Sequence, residues 1–280
     1  MPITATASYG TDRDWLLSFC PSHLSKSLAA LFEIEHQVVT SLRAGLDHAV
    51  AHTRLEWWSE ELTRLSQGSP RHPLTRELAS FAITRGVTPP DLTALIEHVR
   101  VDLACVAFFD QNELDLHFAS WARSLFRTAT LLEYDMTSPK ERAAAEKFAG
   151  DAGSLVRELE LLRRFSEHAI AGRIYVPLGN PPSLHAPWSA QPLGENEVRT
   201  LDDRRQTLRR RLRVIAAEVA PQQRSALRVP LLWISFSMNS DRDDSALLAP
   251  LRRTIRAWCS AFTLSRGRLP SALSFRPRNE

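Results

Sequence analysis

Lysine is almost missing: Lys26, Lys140 and Lys147 are the only three in 280 residues. The positive charge is therefore nearly all arginine, and the net charge is only +3. So small an excess, spread along the chain, does not describe a nucleic-acid reader, which gathers its base on one face. Arginine's planar fork does suit a diphosphate or an anionic lipid. Cysteine is equally sparse. Cys20, Cys105 and Cys259 are odd in number and far apart, which excludes a disulfide framework or a CxxC metal site and points to reduced thiols in a cytoplasmic setting. Long apolar runs are absent as well. "LACVAFF" and "VPLLWI" fall far short of the ~20 residues that cross a bilayer. The opening "MPITATASYGTDRDW" carries no apolar segment of the kind a secretory signal needs. The expectation is a cytoplasmic protein, at most peripheral to an inner membrane. No GxSxG, no Gly-rich phosphate loop and no Cys/His nucleophile signature appears, so neither acyl transfer by a serine or cysteine nor a P-loop is indicated.

What is present is helix. Hydrophobic residues make up 44% of the chain and glycine only 10 positions, while Ala, Leu, Arg and Glu dominate, side chains that lose little rotamer freedom in a helix. Leu24, Leu28, Leu31, Glu35, Val38 and Leu42 step by three and four, with Glu35 the one charged member of the stripe. Gly45 interrupts, and Asp47 is placed to cap a helix carrying Leu55, Trp58, Leu62 and Leu65. "SPRHPLTRELASFAITRG" reads as a turn, a short helix and a stop at Gly86. Further helices follow from Asp91, through "QNELDLHFASWARSLFRTATLLEY", from Pro139 to Phe148, over 152–169, and at 195–219, 222–239 and 245–264. No strand alternation and no internal repeat is visible. The chain reads as one all-α helical-bundle domain over 1–280, with a Pro-rich loop at 179–194 and a basic tail at 265–280.

Three segments resemble the squalene/phytoene synthase family. "LAALFEIEHQVVTSLRAGLDHAVAHTRLEWWSEEL" has the family's apolar helix followed by its basic-apolar-x-Trp-Trp-x-x-Glu helix, matched by Arg54-Leu55-Glu56-Trp57-Trp58-Ser59-Glu60-Glu61. "GSPRHPLTRELA" matches a Gly-x-Pro-x-His-Pro turn, and the opening stretch fits too. The likeness implies the all-α isoprenoid-synthase fold. It also implies a chemistry in which allylic diphosphates lose pyrophosphate with the help of Mg²⁺ held by aspartates on two facing helices. Here those acids are missing. Counting back from Trp57, the first acidic motif falls on Val39-Thr40-Ser41-Leu42-Arg43. Counting back from Gly172-Arg173, the second falls on Arg164-Phe165-Ser166-Glu167-His168, with Glu167 the one acid left. Fixed cations at a divalent-cation site turn attraction into repulsion worth several kcal/mol in a partly dry cavity. The pattern is similar to a divergent branch of phytoene-synthase-like proteins that act in respiratory complex I assembly.

The resemblance implies, first, a non-catalytic protein that holds no metal or cofactor and binds a prenyl or lipid ligand, a protein partner or a second copy of itself. The alternative is an active head-to-head prenyltransferase with Mg²⁺. Arg157, Glu160, Arg164 and His168 share one helical face. They form either a remodelled cavity wall that binds an anion directly or a solvated face of i,i+4 pairs. Arg173, Tyr175 and Asp102 join them as candidate cavity or anion-binding residues. His48, His52 and Glu56 have the i, i+4, i+8 spacing of a zinc triad, a spacing helical surfaces also produce by chance. Asp241-Arg242-Asp243-Asp244 reads as an N-cap with favourable dipole placement rather than a metal motif. Trp57 and Trp58 are expected to pack between helices.

Overall fold

A computed structural model describes residues 12–43, 45–105, 108, 110–133, 138–171, 173, 175, 194–239 and 249–274. Most of the Pro-rich segment 179–194, the Asp241–Asp244 cluster and the end of the basic tail lie outside the described residues. All regular structure among the described residues is helical, as the periodicity predicts.

The chain runs through α1 (Asp12–Phe19), α2 (Ser22–Val39), α3 (His48–Ser66), α4 (Pro73–Thr84), α5 (Thr93–Leu103) and α6 (Gln111–Trp121). It continues through α7 (Arg127–Glu133), α8 (Pro139–Arg163), α9 (Phe165–Ile170), α10 (Glu195–Glu218), α11 (Arg228–Asn239) and α12 (Ala249–Ser265). Local chemistry sets several boundaries. Asp47 caps α3 by accepting from the Ala49 and Val50 N–H groups, as its place in the sequence predicts. Gly45, at φ 79°, supplies the left-handed residue between the turn Thr40–Leu42 and that cap.

Glu61 is the residue that ties α3 to α4. Its Oε1 accepts from the Arg71 and His72 N–H groups, each at 2.8 Å, and from the Thr75 hydroxyl at 2.5 Å, while Arg64 donates to Oε2 at 2.9 Å. Burial works against its charge. The hydrogen bonds from Thr75, His72, Arg71 and Arg64 overcome this and hold the carboxyl down at about 2. So the Trp-Trp-x-x-Glu helix and the His-Pro turn form one hydrogen-bonded unit. Trp58 is buried there against the His72 ring, 5.2 Å away, whereas Trp57 is 45% exposed. The expected packing role holds for Trp58; Trp57 instead lies across the edge of its neighbour at the surface.

Helix α8 runs through the middle of the bundle and packs against α6, α7, α10 and α11, while α2 packs on α4, α5 and α7. Glu158 of α8 is buried and binds Arg204 of α10 through two contacts of 2.6 and 2.8 Å. Arg163 reaches Asp12 of α1 at 2.9 Å and the Ser237 carbonyl of α11 at 3.3 Å. Boundaries differ from the sequence reading in three places. The helices expected over 139–148 and from 152 are one continuous α8. The helix expected over 152–169 breaks at Arg164, whose N–H closes a tighter turn onto the Leu161 carbonyl, and α9 follows as a separate helix. The helix expected from 222 begins at Arg228, because Pro221–Gln223 form a separate 3-10 turn first.

Between α6 and α7 the backbone widens into a π-type turn at Ala122–Phe126, and α8 approaches it at Gly153. A Cβ on Gly153 would stand 2.8 Å from the Ala122 Cβ and 2.9 Å from the Phe126 Cβ, closer than van der Waals contact allows. Gly153→Ala should therefore lower stability by about 1–3 kcal/mol, although alanine is the better helix former. Urea unfolding checks this, and an unchanged or raised midpoint would contradict the packing.

Candidate functional site

The interior between α2 and α8 is closed by an arginine from α1. Arg13 donates through Nε and Nη2 to the Glu35 carboxylate of α2, at 3.0 and 2.9 Å, and through Nη1 to Glu160 of α8 at 2.9 Å. Two indoles complete the shell. Trp121 Nε1–H donates to Glu35 at 3.0 Å, and Trp233 Nε1–H to Glu160 at 2.9 Å. The guanidinium also lies 4.9 Å from the Trp233 ring centre and 5.9 Å from those of Phe32 and Trp121, within cation–π range. Burial disfavours the charge on Arg13, but Glu160 and Glu35 together more than reverse this and raise its pKa. Burial likewise opposes ionisation of Glu160; Arg13 outweighs it and holds the carboxyl below its ordinary range.

One turn before Glu160, Arg157 begins a second network. Its Nη2 donates to His98 Nε2 at 3.2 Å, and its guanidinium lies over the Trp121 ring at 5.1 Å. Its Nε is buried with no hydrogen-bond partner among the described residues. The His98 Nδ1–H donates to the His117 carbonyl at 3.1 Å, since a carbonyl can only accept, and this fixes the tautomer. His117 Nε2–H donates to Asp102 Oδ1 at 2.9 Å. Burial pushes the His98 imidazole down to about 3, with Arg157 adding to the effect and Asp102 opposing it, so the ring is neutral at physiological pH. Tyr175 closes the cluster, its phenol pushed above the ordinary range by burial and by Asp102.

His98, Asp102 and His117 bring three possible ligand atoms within 4.8 Å of one another. The two imidazoles are stacked, however, with centres 4.0 Å apart and planes only 16° from parallel. A metal ion lies near the plane of each imidazole it binds, and two stacked, nearly parallel rings cannot aim their lone pairs at one point. Arg157 already occupies the lone pair of His98. The geometry is that of a hydrogen-bonded core.

The residues singled out by sequence divide into three groups. Glu160, Arg157, Asp102 and Tyr175 come together in the interior as described. Arg173 is engaged by backbone: its Nε donates to the Asp102 carbonyl at 3.1 Å and its Nη2 to the Leu42 carbonyl at 3.0 Å. It thus ties the chain after α9 to the ends of α5 and of the turn Thr40–Leu42. His168, half-buried and lowered to about 4 by desolvation, Arg157 and Arg164, stands edge-on to Tyr175 at 5.3 Å. The third group faces outward. Arg164 and Glu167 are 64% and 62% exposed and pair with each other at 2.5 Å. The break after α8 turns Arg164 away from the face it shares with Arg157 on an unbroken helix. Val39 and Thr40 are half-buried and Arg43 is exposed; the Thr40 hydroxyl accepts from Arg54 and donates to the Gln37 carbonyl. His48 and His52 sit on the exposed surface of α3, while Glu56 is held by Arg100 at 2.7 Å.

Sequence reasoning missed Arg13, His98 and His117. Glu35 was the available clue: a carboxylate inside an apolar stripe needs a buried partner.

Arg13→Met leaves two buried carboxylates facing each other without their cation. It should cost about 3–5 kcal/mol, while Arg13→Met combined with Glu35→Gln and Glu160→Gln should recover most of that loss. Chemical denaturation of the two variants measures the difference, and equal stabilities would rule out the bridge. A second expectation concerns pH. Folded His98 resists protonation down to about 3, whereas in the unfolded chain it protonates near 6.5. Its contribution is thus complete above about pH 6.5 and lost as the pH falls toward 3. Relative to His98→Gln, the wild type should lose about 2 kcal/mol between pH 7 and pH 4.5. Parallel stability–pH curves for the two proteins would show that His98 is not held neutral.

Residues 6–180 match the sequence model of the family described as squalene/phytoene synthase. Neither the curated proteins nor the solved structures gave a match. The matched region runs from just before α1 to just past α9 and contains both the Glu61-clamped turn and the Arg13 bridge. The chain belongs to the squalene/phytoene synthase family.

Proposed function

We propose that this protein is a non-catalytic member of its family, one that acts by binding rather than by ionising a diphosphate. The observation that carries this reading is the Arg13 bridge between Glu35 and Glu160. Mg²⁺ requires near-octahedral oxygen donors, usually one or two free carboxylates together with substrate phosphates. The buried carboxylates of α2 and α8 are already neutralised by a guanidinium and two indole N–H donors. The motif positions Val39, Thr40, Arg43, Arg164 and His168 offer no acid, and Glu167 is paired at the surface. Releasing Glu35 and Glu160 to a metal would strand the Arg13 charge in the interior, at a cost of several kcal/mol. The residues present do not suit the ion.

The binding reading includes a prenyl or lipid ligand, or a protein partner of the kind implied by the likeness to complex I assembly proteins. The rival reading, an active enzyme joining two prenyl diphosphates with Mg²⁺, is favoured by family membership alone. Purified protein given farnesyl or geranylgeranyl diphosphate with Mg²⁺ separates them. The expected result is no pyrophosphate release above a protein-free control. Sustained turnover that Glu35→Gln abolishes would establish the rival.

A further inference from the structure

Helix α12 has two apolar faces, and among the described residues only one has a partner. Ala257, Ser260, Ala261 and Leu264 are buried, where α12 packs against α11 and α1. On the other side Ile255, Trp258 and Phe262 are 52%, 57% and 42% exposed. The i, i+3, i+7 spacing places them in one row. Trp258 and Phe262 stack on each other with centres 5.3 Å apart and planes 10° from parallel, and the Arg266 guanidinium lies 4.1 Å from the Phe262 ring centre. The row is extended by a cation, not closed by another helix.

Charge identifies what covers it. Residues 245–279 hold seven arginines (Arg252, Arg253, Arg256, Arg266, Arg268, Arg276 and Arg278) and no aspartate or glutamate. The whole chain is only +3, so the remainder of the molecule is net −4. A small overall excess thus hides a local one in sequence: Arg252, Arg253 and Arg256 lie on α12 itself, and Arg266 and Arg268 directly follow it. A helix that presents Trp, Phe and Ile beside arginine, with no acid of its own, fits the headgroup layer of an anionic bilayer. There the rings sit at the acyl boundary and the guanidinium groups reach the phosphates.

We propose that this face of α12 seats the protein on the surface of an anionic membrane. No helix among the described residues is long and apolar enough to cross one, so the attachment is peripheral. The inference does not depend on how the Arg13 site is read.

Sedimentation of the full chain with vesicles tests it. The protein should bind vesicles of phosphatidylcholine mixed with phosphatidylglycerol at least about tenfold more tightly than phosphatidylcholine alone, and high salt should release it. Trp258→Ser with Phe262→Ser should weaken binding by about tenfold or more, because the buried apolar area is lost. Both positions are exposed, so the thermal midpoint should stay unchanged. Arg266→Gln with Arg268→Gln should flatten the salt dependence while leaving the fold intact. Equal vesicle binding by the wild type and the Trp258/Phe262 variant would overturn the proposal, as would no binding at all. So would a dimer in solution that the same variant dissolves, since a second copy would then be the occupant of this face.

Discussion

A single guanidinium holds the two central helices together. Glu35 and Arg13 are 22 residues apart, and Glu160 and Arg13 are 147 apart, so α1 joins segments that otherwise meet only through the core. Each carboxylate is expensive to bury alone, and each is satisfied by Arg13 and one indole N–H. Such a triad contributes little net stability compared with an apolar core of the same shape. Its effect is on specificity: slide α2 or α8 by one turn and a charge is left without its partner, so one register is favoured over its neighbours. The aromatic walls depend on it as well, because Trp121 and Trp233 are each oriented by the carboxylate that accepts their hydrogen bond.

Arg157 carries this order from one network into the next. Its ring contact with Trp121 and its bond to His98 place it between the Arg13 triad and the His98–Asp102–His117 cluster. It lowers the pKa of both Glu160 and His168. A third cation, Arg173, binds the outer end of the same column to two backbone carbonyls. The interior thus alternates cation and acceptor from α1 through to the chain after α9. Glu35 and Glu160 are both occupied by the Arg13 guanidinium.

How much of this was legible depends on how local the cause is. Most of the helices, the Asp47 cap and the turn at Gly45 follow from residues within a few positions of one another and are legible directly; α1 and the continuity of α8 are not. The importance of Glu35 was half-legible, since a period of three and four marks it as inward-facing but says nothing of its partner. Arg13 was invisible, because no periodicity ties a residue near the start of the chain to one 147 positions later. The break at Arg164 was missed for a related reason. Its sequence contains no proline or glycine, and the tighter turn onto Leu161 arises where α8 leaves the packed interior. Arg164 and Arg157 therefore look equivalent on a helical wheel, while one is 64% exposed and the other is half-buried against Trp121 and His98.

The motifs that reveal the family can now be separated by what they do in this molecule. Trp58, Glu61, His72 and Pro73 build the α3–α4 corner. Glu61 alone satisfies two backbone N–H groups at the start of α4 that no helix can satisfy from within. The corner needs these side chains whatever occupies the cavity, so it constrains the sequence through folding. Positions 39, 40, 43, 164 and 168 make no comparable demand: they lie at or near helix ends, partly or largely solvent-exposed, and the side-chain hydrogen bonds of Thr40 and Arg164 reach no further than the adjacent helix α3. The fold does not require an acid at these positions, and the bundle stands without one. In this chain, recognition by these motifs therefore reports the α3–α4 corner. It carries no information about whether the site fourteen or more residues away still performs chemistry.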